Sequence, residues 1–224
     1  MVSAVIVAAG LGKRFGPDAD KLFLEVAGRP VVGHTWSRFD RTPVVDEVVV
    51  VVRAGMEPAF RDIAATLGLG KPWRLVVGGS ERQDSVRNGV DAVASGAEVV
   101  AIQDGARPCT PVEVIEAVVA AARETGAAVA AQRVTDTIKE SGDGRTIDRT
   151  VDRSRLWAVQ TPQAFRVEVI RRALDEVRTR GLLVTDDTAA CECIGQAVRL
   201  VESRLPNPKV TYPGDLPYLR VLLG

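Results

Sequence analysis

The chain has 224 residues, of which 46% are hydrophobic, enough for the core of one large α/β domain. Lysine and arginine together number 29, as do aspartate and glutamate, so no overall charge attracts nucleic acid or a membrane surface. The N-terminal residues lack a signal-peptide pattern and no apolar run is long enough to span a bilayer. The chain has only three cysteines, which is typical of a protein in a reducing compartment. We therefore expect a cytoplasmic protein with neither nucleic-acid nor membrane partners.

Apolar runs alternate with helical patterns along most of the chain. Their nearly continuous Val, Ile and Ala content is typical of strands covered on both faces, as in a parallel sheet. The predicted strands are Val2–Val7, Val48–Val52, Trp73–Val77, Val99–Ile102, Ala127–Ala131 and Trp157–Val159. This alternation predicts a Rossmann-like, doubly wound, mostly parallel α/β sheet with helices on both faces.

Two of the predicted helices carry signals for their ends. After the third strand, Ser80 and Gln83 have the spacing of a capping box. After the fourth strand, Thr110 is predicted as the N-cap, Pro111 as the first helical residue and Gly126 as the stop.

Residues 134–156 interrupt this rhythm. The segment is polar and rich in threonine, and it contains a tight turn at Ser141–Gly144. It has too little apolar surface for a core of its own, so we expect a protruding β-hairpin arm. Because an isolated hairpin is only marginally stable in water, this arm should pack on another surface, and a second subunit is one candidate.

The stretch "VSAVIVAAGLGKRFG" resembles a phosphate-binding loop, and three kinds of loop begin in this way. A Walker A loop needs Ser or Thr after its lysine, but Arg14 follows Lys13. A dinucleotide loop needs glycine where Phe15 stands and an acidic residue where the second strand ends in Arg53. A third kind wraps a nucleoside triphosphate and grips its phosphates with nearby cations, here Lys13, Arg14 and Lys21. The remaining alternative is a plain strand-to-helix turn.

Asp104 follows a buried strand in the stretch "VVAIQDGARPCTP". Parallel sheets place ligands at the carboxyl ends of their strands, and a carboxylate beside a triphosphate suits magnesium. Arg107 could meet a further anion. An equally simple interpretation is that Asp104 caps the turn that follows it. The single histidine, His34, lies in an apolar helical stretch and is predicted to be structural.

Several motifs occur together in the order found in one known family. They are "AAGLGKRFG", "DKLFLEVAGRPVVGHT", "GGSERQDSVRNG", "QDGARP", "TVDR", "QTPQAF", "TDDTAACE" and "NPKVT". From about Val2 to Leu216 the chain resembles the 2-C-methyl-D-erythritol 4-phosphate cytidylyltransferases. The resemblance implies transfer of CMP from CTP to methylerythritol phosphate, with release of pyrophosphate, in non-mevalonate isoprenoid precursor biosynthesis. It also implies one nucleotidyltransferase domain over residues 1–224 that includes the arm.

The family's functional residues fall on matching positions of this chain. The resemblance implies that Arg14 and Lys21 stabilise charge on the α-phosphate. The positions implied for nucleotide binding are Ala8, Ala9, Gly10, Gly12, Lys13, Gly79 and Ser85. Those implied for the acceptor substrate are Asp104, Arg107, Thr137, Arg153, Thr185 and Lys209, with Asp104 also a ligand of Mg²⁺. The family further implies a homodimer with composite active sites, in which the arm lends Thr137 and Arg153 to the partner.

Some positions depart from the family pattern and keep alternatives open. Gln103 and Gly105 flank Asp104 where histidine or alanine is common in the family. Pro206 stands where an acidic residue is common, and Asp187-Thr188 replaces a common Glu-Ala or Glu-Ser pair. The nearest alternative is a cytidylyltransferase for another polyol phosphate, such as ribitol 5-phosphate. A sugar nucleotidyltransferase that uses UTP or GTP and a non-catalytic nucleotide-binding module are the others.

Overall fold

The computed structural model describes residues 1–10, 12, 15 and 20–224. The strands are β1 (Val2–Val7), β2 (Glu25–Val26), β3 (Arg29–Pro30), β4 (Glu47–Val52), β5 (Trp73–Val77), β6 (Val99–Asp104), β7 (Ala127–Arg133), β8 (Lys139–Glu140), β9 (Arg149–Thr150), β10 (Trp157–Arg166) and β11 (Arg199–Glu202). The helices are α1 (Val31–Arg41), α2 (Glu57–Leu67), α3 (Arg82–Asp91), α4 (Val112–Thr125), α5 (Val167–Thr179), α6 (Asp187–Cys193) and α7 (Leu216–Leu223).

In the described part of the chain, seven strands form one sheet in the order β11-β7-β10-β6-β1-β4-β5. The pairs β1–β4, β1–β6, β4–β5 and β7–β11 are parallel, whereas β10 runs antiparallel to both of its neighbours. Val7, near the end of β1, is in register with Val51 and Asp104. The carboxyl ends of three central strands therefore meet at one edge of the sheet.

Helices cover both faces of the sheet, as the continuous apolar strands predicted. On one face Ile6 and Val50 belong to a core that includes Trp36 of α1. On the other face Val5 belongs to a second core that includes Ile170 of α5. Successive strand residues point to opposite faces, so a strand buried on both sides must be apolar at every position. The doubly wound, mostly parallel α/β prediction is confirmed.

Strand β10 is longer than the predicted Trp157–Val159, because buried residues 161–165 continue it toward α5. The predicted capping box of α3 is wrong by one residue, because Glu81 and Asp84 form it in place of Ser80 and Gln83. The helix begins after Glu81, whose backbone N–H donates to Asp84 Oδ2 at 3.0 Å. Ser80 instead donates from its hydroxyl to the same carboxylate oxygen of Asp84. Gln83 turns away from the cap toward residues 182–184.

The predicted start of α4 is wrong by one residue, and its predicted end is confirmed. Pro111 precedes the helix, which begins at Val112. The Thr110 hydroxyl does not cap the helix but donates to Asn207 Oδ1 at 3.0 Å. Gly126 ends the helix in the left-handed conformation, with a φ of 91° that favours glycine.

The predicted arm is a two-stranded antiparallel hairpin of β8 and β9. Every residue from 139 to 150 is exposed, so the hairpin contributes no core of its own. Its turn is tied by polar contacts, among them the Gly142 N–H donating to Asp148 Oδ2 at 2.6 Å. The hairpin is therefore present, while its role in dimerisation stays a prediction. Across the described residues, no helix combines the length and apolar character needed to cross a membrane.

Candidate active site

A cavity of about 660 Å³ opens at the carboxyl edge of β1, β4, β5 and β6. This volume suits a small-molecule ligand, and the position is the usual ligand site of an open α/β sheet. Predicted site residues that line the cavity are Ala8, Ala9, Gly10, Gly12, Lys21, Gly79, Ser85, Asp104 and Lys209. Two stretches far apart in sequence thus line the same cavity: the glycine loop, represented by Ala8–Gly10 and Gly12, and the segment around Lys209, called the Lys209 segment. The predicted residues Lys13 and Arg14 lie outside the described residues, so their roles stay predictions.

Close backbone approach explains the two glycines on the β5 side of the cavity. A Cβ added to Gly78 would lie 2.6 Å from Ala9 Cβ, and one added to Gly79 would lie 2.2 Å from Asp84 Cβ. The Gly79 N–H donates to Ser85 Oγ at 3.1 Å, which joins this turn to the first turns of α3. The missing side chain of Gly78 lets the β5–α3 turn press on Ala9 after β1, and that of Gly79 lets the turn fold against Asp84 of α3.

Replacing Gly79 with alanine should therefore destabilise the fold. The new methyl group must displace Asp84, whose carboxylate holds the start of α3. Overpacking of this kind costs about 1–3 kcal/mol. Chemical denaturation measures the loss of stability. Gly96→Ala is the control, because a Cβ there meets no atom within 4 Å. Equal stability in both variants would contradict the packing role of Gly79.

Asp104, at the end of β6, lies among three cations. Lys209 Nζ is 2.7 Å from Asp104 Oδ2, and Arg107 Nε is 3.7 Å from the same oxygen. Arg82 Nε lies 3.7 Å from Oδ1. The Asp104 side chain is only 12% exposed, and burial alone would raise its pKa. The charges of Lys209, Arg82 and Arg107 outweigh burial and hold the pKa of Asp104 below its ordinary value. Asp104 is therefore ionised at neutral pH.

The segment that carries Lys209 is anchored by a buried asparagine. Asn207 donates from Nδ2 to the Thr161 carbonyl at 2.8 Å, and its own carbonyl accepts from Arg107 Nη1 at 2.6 Å. Lys21 Nζ donates to the Val210 carbonyl at 2.6 Å. These contacts tie the chain from 207 to 210 to β10, to the turn after β6 and to the loop after β1. These bonds hold the Lys21 ammonium and the backbone that carries Lys209 in place, and both lysines line the cavity.

Comparison with known proteins identifies the family. A family model described as 2-C-methyl-D-erythritol 4-phosphate cytidylyltransferase matches residues 2–224. This chain belongs to that family. A protein of the same name from Geobacillus kaustophilus is 42% identical over 221 residues, which are 99% of this chain and 96% of that protein. Another from Pelotomaculum thermopropionicum is 43% identical over 216 residues, which are 96% of this chain and 91% of that one.

Solved structures agree with this assignment. The crystal structure of 4-diphosphocytidyl-2C-methyl-D-erythritol synthase from Anaerococcus prevotii has a TM-score of 0.88 at 29% identity, covering 99% of this chain and 95% of that one. The 2-C-methyl-D-erythritol 4-phosphate cytidylyltransferase from Thermus thermophilus has a TM-score of 0.82 at 31% identity, covering 99% and 98%. The resemblance inferred from the motifs is confirmed.

Four residues that the family resemblance assigned to the acceptor are not among the described residues that line the cavity. Thr137 and Arg153 are exposed on the arm, where Arg153 donates to the Thr135 carbonyl. Thr185 is exposed just before α6. Arg107 is turned onto the Asn207 carbonyl behind Asp104. Their roles toward a substrate therefore stay predictions.

Two arginines in the cavity wall were not predicted as site residues. Arg53, directly after β4, donates from Nη1 to the Gly10 carbonyl at 3.1 Å and forms an ion pair with Asp20. Arg82 pairs with Asp187, and that carboxylate raises the pKa of Arg82 against the effect of burial. The sequence offered a signal only for Arg53, because a dinucleotide-binding fold would have an acidic residue at that position. The partner of Arg82 lies more than 100 residues away in the chain.

His34 and the cysteines have structural surroundings. His34 Nε2 lies 2.7 Å from the Val26 carbonyl oxygen, and burial lowers the pKa of this imidazole. Burial raises the pKa of Cys109 to about 11 and that of Cys191 to about 12, so both remain thiols at neutral pH. None of the three cysteines forms a disulfide.

Proposed function

We propose that this protein is a cytidylyltransferase that joins CTP and 2-C-methyl-D-erythritol 4-phosphate, forming CDP-methylerythritol and pyrophosphate for isoprenoid precursor synthesis. The observation that carries the proposal is the family match along residues 2–224, in a chain whose glycine loop and Lys209 segment face one cavity. The residues around Ala8–Gly10, with Gly79 and Ser85, form the nucleotide side. Asp104 and Lys209 form the acceptor side.

In this reaction an oxygen of the acceptor phosphate attacks the α-phosphorus of CTP. The bond from that phosphorus to the bridging oxygen breaks, and pyrophosphate leaves with the electron pair. Because the attacking phosphate is already ionised at neutral pH, no side chain has to remove a proton. The chain must instead bring two mutually repelling anions into line and neutralise them. Lys21 and Lys209 supply positive charge at the cavity, and we assign Arg14 to the same task.

The family resemblance also implies Mg²⁺, which would share the Asp104 carboxylate with the side chains of Arg82 and Lys209. In the described part of the chain no group of three or more His, Cys, Asp or Glu side chains could hold a metal ion. Asp104, however, is an ionised carboxylate in the cavity wall, and Mg²⁺ in nucleotide enzymes is bound by one or two carboxylates together with substrate phosphates. We therefore propose Asp104 as the protein ligand. When bound, the ion would neutralise phosphate charge.

We further propose that the protein is a homodimer in which the arm of one subunit completes the site of the other. The support is the arm itself, which is exposed from residue 139 to 150 and carries Arg153 near its base. An exposed two-stranded hairpin gains stability only by packing on another surface. In the dimer, Thr137 and Arg153 would bind the acceptor phosphate in the partner's cavity. Arginine suits this role because its guanidinium binds phosphate with two parallel hydrogen bonds.

We place the reaction in the cytoplasm. The support is the set of three unpaired cysteines, since unpaired thiols are typical of proteins in a reducing compartment.

Pyrophosphate release tests the function directly. We expect turnover with CTP and methylerythritol phosphate in the presence of Mg²⁺, and at least about tenfold lower kcat/KM with ATP, GTP or UTP, because rejecting a base at a hydrogen-bonding site is worth 1.4 kcal/mol or more. Ribitol 5-phosphate is the competing acceptor. Asp104→Asn is the negative control, and chelation of Mg²⁺ should abolish turnover.

Three outcomes would contradict the proposal. Turnover of ribitol 5-phosphate without turnover of methylerythritol phosphate would make the protein a cytidylyltransferase of a different class. Preference for UTP or GTP would point to a sugar nucleotidyltransferase. Binding of CTP without turnover of either acceptor would indicate a nucleotide-binding module.

A further inference from the structure

Arg82 connects two carboxylates that belong to different parts of the fold. Its Nη1 and Nη2 donate to Asp187 Oδ1 and Oδ2 at 2.9 and 2.8 Å. Its Nε lies 3.7 Å from Asp104 Oδ1. A bidentate pair fixes the plane of the guanidinium. The position of Asp187 therefore sets the direction in which Arg82 presents Nε to Asp104.

Asp187 is held by contacts that do not involve Arg82. Its backbone N–H donates to Gln163 Oε1 at 3.1 Å, and Gln163 Nε2 donates to Asp186 Oδ2 at 2.9 Å. The Asp187 side chain is only 1% exposed. Arg82 thus meets a buried carboxylate that β10 has already placed.

The residue next to Arg82 secures the same contact. Gln83 Nε2 donates to the Leu182 carbonyl at 2.9 Å, and Gln83 Oε1 accepts from the Val184 N–H at 3.0 Å. The first turn of α3 is therefore joined to residues 182–187 at two successive positions. The Gln83 contacts hold the first turn of α3 beside residues 182–187, and this keeps Arg82 within reach of Asp187.

Four charged side chains thus form a series from the interior to the cavity: Asp187, Arg82, Asp104 and Lys209. Asp104 meets Arg82 on Oδ1 and Lys209 on Oδ2, at 3.7 and 2.7 Å. Exposure is 1% for Asp187 and 35% for Lys209, so the series ends at the group that a ligand can reach. We propose that Arg82 is a positioning residue for the acceptor side: anchored by Asp187, it orients Asp104, which in turn holds the Lys209 ammonium toward the acceptor phosphate.

This inference rests on the proposed function, because the acceptor is the readout. The double variant Arg82→Gln/Asp187→Asn removes both charges, so it leaves no buried carboxylate without its cation. We expect the KM for methylerythritol phosphate to rise about 10- to 100-fold, the range typical of residues that orient a ligand-binding group. The KM for CTP should stay within about threefold, since the nucleotide side keeps its contacts.

The matched control lies on the same helix. Arg87 pairs with Asp175 of α5 at 2.8 Å, outside the cavity lining. Arg87→Gln/Asp175→Asn should change neither KM. A role for Arg82 confined to stability would appear as a lower melting temperature with an unchanged acceptor KM.

Two further variants keep the test decisive. Arg82→Gln alone should unfold at lower temperature, because Asp187 stays buried without a partner; adding Asp187→Asn should restore stability but not the acceptor KM. Arg82→Lys keeps the charge without the planar fork, so it should fold and still raise the acceptor KM. A wild-type acceptor KM in the double variant or in Arg82→Lys would overturn the positioning role. Absence of turnover in the unmodified protein would instead overturn the proposed function, and this inference with it.

Discussion

Replacing Lys21 with methionine should lower kcat for cytidylyl transfer by about 10²–10³-fold, the usual cost of removing one preorganised donor to a transition-state charge. Lys21 lines the cavity beside the glycine loop, since a Cβ added to Gly12 would lie 3.7 Å from Lys21 Cδ. Its ammonium is held by the Val210 carbonyl at 2.6 Å. The donor is therefore fixed before substrate binds, and methionine keeps most of the unbranched side chain of lysine without its charge. Initial rates at saturating CTP and acceptor measure the effect.

Lys71 provides the control for this prediction. Like Lys21 it is half-buried and donates to backbone carbonyls, those of Phe39 and Thr42, but it does not line the cavity. Each substitution removes hydrogen bonds from a charged donor, so each should cost at most about 3 kcal/mol of folding stability. Lys71→Met should keep the wild-type kcat. If Lys21→Met also turns over at the wild-type rate while folded, the assignment of Lys21 to the transition state is wrong.

Two inactive variants should restore each other's activity when they share a dimer. In the dimer proposed above, Asp104→Asn should disable the cavity of its own subunit, and Arg153→Ala should disable the arm that the subunit lends to its partner. In a mixed dimer one site has both defects, whereas the other combines an intact cavity with an intact arm. Co-production in equal amounts makes half of the dimers mixed, so about a quarter of the wild-type activity should return. Rates of the mixture, relative to each variant alone, measure this recovery.

The recovery separates an arm that acts on the partner from one that acts on its own subunit. If the arm completed the site of its own chain, no combination of these variants would contain an intact site, and the mixture would stay inactive. Arg145→Ala is the control on the arm, because Arg145 lies exposed in the turn between β8 and β9. It should be fully active alone. Full activity of a monomeric preparation would exclude the composite site altogether.

Local patterns were sufficient for the fold class and for much of the cavity. Continuous apolar runs such as Val48–Val52 can be buried only between two layers of helices, which predicts a parallel sheet before any contact is known. Such a sheet collects the carboxyl ends of its strands, so Asp104 and the glycine loop after β1 had to share one edge. The chain order of short motifs was specific enough to predict the family, which the comparisons confirm.

Contacts between distant segments were not accessible in this way. Nothing near Arg82 in the chain indicates that Asp187, 105 residues later, will bind it. The local pattern also does not predict that Asn207 is buried against Thr161, or that β10 is antiparallel to its neighbours. Propensity and periodicity act over a few residues, whereas these arrangements depend on how α3, β10 and the 207–210 segment pack together. The residue types at the site could thus be predicted from the sequence. The pairing of Arg82 with Asp187 that orients Asp104 forms only when those elements pack together.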